Sequence, residues 1–184
     1  MRFRSTAVLV VSSAVFLLGS LGTVRAQEIP QPLLGFCCSC AAQIKFVPDP
    51  AAPDLLSVGA RFVPNVGAII DPFTNGMTFT LENANGVIFT ETIPPFQFVE
   101  ATSGKKFTYK NPAAKTAGGI ASVVIQERSD AIGGFSIEMR AYGDLSAATL
   151  SNMVTSVVIG ASPFFDVGDW EQRDNGWRRK FPTP

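Results

Sequence analysis

Apolar and polar residues alternate along most of the chain between Leu55 and Ile159. Leu56, Val58, Ala60 and Phe62 fall on one face of the first such run. Alternation with a period of two is typical of β-strands that bury one face. Further β-like runs cover positions 77–82, 87–92, 107–110, 120–127, 135–140 and 153–159. The pattern therefore predicts six to eight short strands, a number that is typical of β-sandwiches and barrels.

Short clusters rich in glycine, proline, asparagine and aspartate separate these runs. Asn85-Gly86 lies between two of them, and this dipeptide favours a type I′ turn that joins two antiparallel strands. We therefore predict an all-β chain with a single antiparallel β-sandwich of immunoglobulin-like type at 54–163. Its predicted core residues are Phe79, Phe107, Ile125, Phe135, Ile137 and Val157.

Three segments outside this domain differ in pattern. Arg2 and Arg4 precede an uncharged run at 7–21, and Val24-Arg25-Ala26 follows it, which is the layout of a cleavable secretory signal at 1–26. The alternative is an uncleaved anchor, but the run is shorter than the roughly 20 residues of a membrane span. The proline-rich segment 27–53 is predicted to be an extended leader, and 164–184 an aromatic and charged tail. We expect a secreted, periplasmic or cell-surface protein without a transmembrane span in its mature form.

Charge and composition narrow the classes of function. Without the three arginines of the signal segment, the chain has 12 basic and 15 acidic side chains, a net charge of −3. This balance gives no electrostatic reason to expect nucleic acid or anionic lipid as a partner. Histidine is absent, so a Ser-His-Asp triad cannot form. We expect no enzyme, no cofactor, no metal and no catalytic residues.

The cysteines form one cluster, Cys37, Cys38 and Cys40, within the leader. An odd number of cysteines in an exported protein favours one disulfide with a spare thiol, or a link between chains. We predict that they tether covalently, with a covalent homo-oligomer as one result, and that they lie outside the packed domain. Thiol redox chemistry and a soft-metal thiolate site are the alternatives.

Both tryptophans, Trp170 and Trp177, lie in the tail. One interpretation is that the tail is a last strand pair that covers the edge of the sandwich. The other is a docking or assembly segment. Exposure of either tryptophan beside carboxylates would favour a carbohydrate-binding module, since aromatic faces can stack on sugar rings. The acidic residues of the tail also provide oxygen ligands of the kind that calcium prefers.

Several strand ends and turns resemble those of a secreted bacterial immunoglobulin-like β-sandwich module of unknown function. The resemblance covers roughly 55–160 and rests on positions 92–94, 106–111, 118–120, 123–125 and 143–146. It implies a bacterial source and a sandwich fold, and it implies no activity and no site residues.

Together these features favour an exported, non-catalytic protein of the cell envelope or extracellular space. It would act as a structural or protein-interaction module with an unknown protein or glycan partner. The first alternative is a module that binds carbohydrate or a small ligand. The second is a thiol redox or metal-binding protein that uses Cys37, Cys38 and Cys40.

Overall fold

The chain folds mainly into β-strands. A computed structural model describes residues 31–32, 40–129 and 134–181, so the predicted signal peptide lies outside the described residues. The strands are β1 (Gln31–Pro32), β2 (Ala41–Lys45), β3 (Asp54–Phe62), β4 (Met77–Asn83), β5 (Gly86–Ile93), β6 (Val99–Glu100), β7 (Lys106–Lys110), β8 (Gly119–Glu127), β9 (Phe135–Gly143), β10 (Asn152–Ile159), β11 (Ser162–Asp169), β12 (Glu171–Arg173) and β13 (Gly176–Lys180). Two helices, α1 (Pro72–Asn75) and α2 (Ala114–Ala117), have four residues each. Helices of this length in the described ranges are too short to cross a bilayer.

Two sheets form the fold. Sheet A has the order β1-β11-β10-β4-β5, and sheet B has the order β12-β13-β2-β3-β9-β8-β7-β6. All described pairs are antiparallel except β1 with β11. The prediction of an all-β sandwich is confirmed at this level, and the immunoglobulin-like type stays a prediction.

The core lies between the two sheets and draws on the faces that the alternation predicted. Leu56, Val58, Ala60 and Phe62 of β3 are all buried. Of the six predicted core residues, Phe79, Phe107, Ile125, Ile137 and Val157 are buried. Phe135 is half-buried and packs against this core. Its ring stacks on Phe62 with 5.6 Å between centroids.

The hairpin predicted at Asn85-Gly86 is confirmed, but its predicted turn type is wrong. Asn83 pairs with Gly86, so the two turn residues are Ala84 and Asn85. A type I′ turn needs positive φ at both central residues. Among the described non-glycine residues, only Phe96 has a positive φ, and Gly86 has a φ of 124°. The glycine thus lies one position later than a type I′ turn requires, and the pairing of β4 with β5 shifts register between Leu81 and Glu82.

The strands extend beyond the predicted domain at 54–163. β2, from the predicted leader, pairs with β3 on one side and with β13 on the other. β11 and β13, from the predicted tail, pair with β10 and β2 respectively. The leader and the tail therefore each supply strands of the two sheets, and the structure favours the interpretation of the tail as a closing strand pair.

An ion pair between β11 and β13 joins the two sheets. Arg179 of β13 donates from Nε and Nη2 to the two carboxylate oxygens of Asp166 in β11, at 2.8 and 3.1 Å. These hydrogen bonds raise the pKa of Arg179 above its ordinary value. Gly168 gives the guanidinium its space, because a Cβ there would collide with Nη2 of Arg179. Asp166, one of the acidic residues of the predicted tail, thus already binds a cation of this chain.

Candidate binding surface

Basic residues are unevenly distributed between the sheets. The described strands of sheet A contain no lysine or arginine, so every basic residue in a described strand belongs to sheet B. The outward-facing cations of sheet B on β2, β7, β9 and β13 are Lys45, Lys106, Lys110, Arg140, Arg178 and Lys180. We call this surface the cationic face. Glu138 is the one carboxylate facing outward on the central strands β2, β3, β7, β8, β9 and β13.

Strand register places three of these cations in one row. The row runs from Arg178 through Gln43 and Ser57 to Arg140. It continues through Ser122 to Lys110 on β7. Neighbouring strands lie about 4.8 Å apart, so the Cα atoms of Arg178 and Arg140 are separated by about 14 Å and those of Arg140 and Lys110 by about 10 Å. The positive charges are therefore spaced along a line that crosses six strands.

Small residues in the row and beside it leave an open concavity, which we call the central concavity. Ala41, Ser57, Gly59 and Ser122 contribute to its lining, and its volume is about 640 Å³. The long side chains of Arg140 and Arg178 also line it. Because the small side chains reach less far from the sheet than the arginines, an extended molecule can lie on them with cations beside it.

The two arginines of the central concavity are not neutralised by described carboxylates. Arg140 is exposed and Arg178 is half-buried, and no described carboxylate lies within 4.0 Å of either guanidinium. The neighbouring Arg179 instead binds Asp166. Arg140 and Arg178 therefore keep their hydrogen-bond donors available for an anion.

The tryptophans that the sequence offered as binding aromatics are buried. Trp170 is 2% exposed and Trp177 is 8% exposed. The indole Nε1 of Trp177 donates to the carbonyl oxygen of Ala148 at 2.7 Å. Neither ring presents a face to solvent, because both pack into the core between the sheets. Their positions therefore do not favour the exposed-tryptophan form of a sugar site.

Cys40 differs from its expected environment. It is 7% exposed and directly precedes β2, so the expectation that the whole cysteine cluster lies outside the packed domain is wrong for this residue. The physical reason is that β2 is held between β3 and β13. Cys37 and Cys38 lie outside the described residues, and the pairing and tethering of the cluster stay predictions.

Sequence reasoning missed the cationic face, although part of the signal was present. The alternation in β9 already assigned Glu138 and Arg140 to the face opposite Ile137 and Met139. What the alternation lacked was the order of the strands, which brings Arg140 into one row with Arg178 and Lys110.

Comparison with protein-family models, with curated proteins and with solved structures gives no match for this chain.

Proposed function

We propose that the protein is an exported, non-catalytic binding module of the cell envelope or extracellular space, and that it binds an anionic partner on the cationic face. The carrying observation is the row of Arg178, Arg140 and Lys110 in register across sheet B. Positive charges gathered on one face attract a negatively charged partner and orient it, even when the net charge of the protein is negative.

Several features support binding rather than catalysis at this face. The central concavity is open and shallow-sided, and Glu138 is the one carboxylate among its lining residues. Glycoside hydrolysis commonly uses a pair of carboxylates on either side of the scissile bond. The cations of the face are suited to hold an anion in place, because arginine donates hydrogen bonds in a fixed planar arrangement.

This proposal predicts that a protein with a negative net charge is retained on immobilised heparin at neutral pH and low ionic strength. Arg140→Glu should elute at a clearly lower salt concentration than the unchanged protein, because it replaces attraction by repulsion in the middle of the row. The measurement is the salt concentration at elution.

The matched control is Lys105→Glu, which makes the same change in charge outside the row. Lys105 is exposed and already paired with Glu127 at 3.3 Å. The Lys105→Glu variant should elute close to the unchanged protein, because Lys105 lies outside the row and its charge is already offset by Glu127. Passage of the unchanged protein through the column, or equal shifts for the two variants, would refute the proposal.

A further inference from the structure

A second, smaller concavity adjoins the central one, and we call it the Tyr142 pocket. Lys110 at the end of β7, Lys115 of α2 and Arg140 of β9 all line it. Tyr142, which is half-buried, and the exposed Pro112 complete its wall. The volume of the pocket is about 240 Å³. No carboxylate of the described residues lines it. The pocket therefore combines three cations with an apolar wall.

This combination selects among anions. A free inorganic ion needs the cations but gains nothing from the tyrosine and the proline. A carboxylated sugar ring has an apolar face that packs on such a wall and a carboxylate that accepts charge-assisted hydrogen bonds from Arg140 or the lysines. The chemistry of the Tyr142 pocket thus matches a uronate ring.

The surface also suits a long ligand, because the two concavities lie side by side. Ser122 and Arg140 line both of them. From Arg178 to Lys110 the row crosses five strand spacings, on the order of 24 Å. One sugar ring cannot reach both ends, whereas an extended chain with an anionic group on successive units can.

Single-stranded nucleic acid is also long and anionic, but its bases need stacking platforms. Tyr142 is the one aromatic side chain that faces outward on the described strands β2, β3, β7, β8, β9 and β13. A row of cations with one aromatic residue beside it fits a charged glycan better, since each sugar unit brings its own carboxylate.

We infer that the ligand is a linear, carboxylate-bearing polysaccharide that lies along the row, with one uronate ring in the Tyr142 pocket. This inference rests on the proposed function, because it names the class of anionic partner for the same face. It assigns Tyr142 and Lys115 to recognition, although neither lies on the row itself.

The test is isothermal titration of the purified protein with galacturonate oligomers of increasing length. Affinity should rise with length until the oligomer spans the row, and it should fall as salt is added. Tyr142→Ala should weaken binding of the long oligomer about tenfold, and Lys115→Gln should weaken it by a few-fold. A neutral glucose oligomer of equal length should not bind.

Controls separate the possible failures. Thr108→Ala removes a half-buried polar side chain from the same sheet face, outside both concavities, and should leave the affinity for galacturonate oligomers unchanged.

Equal affinity for galacturonic acid monomer and long oligomer would overturn the inference in favour of a small-anion site. Tighter binding of an oligothymidylate, with the same sensitivity to Arg140→Glu, would overturn it in favour of nucleic acid. Retention on heparin with no binding of galacturonate oligomers would refute the ligand class alone. If the protein neither stays on heparin nor binds galacturonate oligomers, the proposed function is refuted as well.

Discussion

Replacement of Phe62 with alanine should lower the free energy of unfolding by about 3–5 kcal/mol, the usual range for a buried phenylalanine. Phe62 is 0% exposed and belongs to sheet B. Its ring lies 4.1 Å from that of Phe164 in sheet A and 5.6 Å from that of Phe135. The truncation therefore leaves a cavity between the sheets and removes two ring contacts. Chemical denaturation at equilibrium measures the loss.

Two variants keep this prediction falsifiable. Phe165→Ala changes a neighbouring phenylalanine that is 36% exposed, so its effect should be small. Phe62→Leu keeps most of the buried volume and should lose less than Phe62→Ala, which matters if the alanine variant does not fold. Equal losses for Phe62→Ala and Phe165→Ala would show that the sheets do not pack through Phe62.

Replacement of Arg179 with methionine should destabilise the protein by about 3 kcal/mol, because it leaves a buried carboxylate without its cation. The side chain of Asp166 is 5% exposed and that of Arg179 is 21% exposed, so the pair is well shielded from solvent. Methionine keeps much of the side-chain length, and the loss therefore reports on the charge and its hydrogen bonds. Thermal and chemical denaturation both measure it.

The adjacent Arg178→Met is the matched control, because Arg178 faces outward and has no described carboxylate within 4.0 Å. Its stability should stay within about 0.5 kcal/mol of the unchanged protein. The double variant Asp166→Leu with Arg179→Met should recover part of the loss, since it removes the buried charge as well. Similar stabilities for Arg178→Met and Arg179→Met would contradict the role of the ion pair.

Local patterns predicted the strands well, because a strand that buries one face alternates apolar and polar residues along its sequence. The alternation of Phe79 and Leu81 with threonines fixed which side of β4 meets the core. The turn after β4 was harder, because its type depends on which residues of the two strands pair, and Asn83 pairs with Gly86.

The tail was ambiguous for a different reason. Trp170 and Trp177 lie among charged residues, so their neighbours in sequence look like a solvated surface. Both rings are buried in the core between the sheets, where β11 belongs to sheet A and β13 to sheet B. Pairing between distant strands is a tertiary property, and no local window contains it.

Net charge concealed the cationic face. A total of −3 in the predicted mature chain is an average over the whole surface, and it gave no electrostatic reason to expect nucleic acid or anionic lipid. In the fold, basic residues as far apart in sequence as Lys45 and Lys180 lie on one face, while the strands of sheet A have none. The distribution of charge, rather than its sum, determines which partner the surface attracts.

The position of the bound ligand tests the central proposal most directly. A nuclear magnetic resonance titration of the isotope-labelled protein with a long galacturonate oligomer reports which backbone amides change. We predict that the changes centre on Ser57, Ser122 and Arg140, on the outer face of sheet B, and leave Thr80 and Ser156 on the outer face of sheet A unchanged. Changes centred on sheet A would contradict the assignment of the cationic face as the binding surface, and no changes at saturating oligomer would contradict the galacturonate class of ligand.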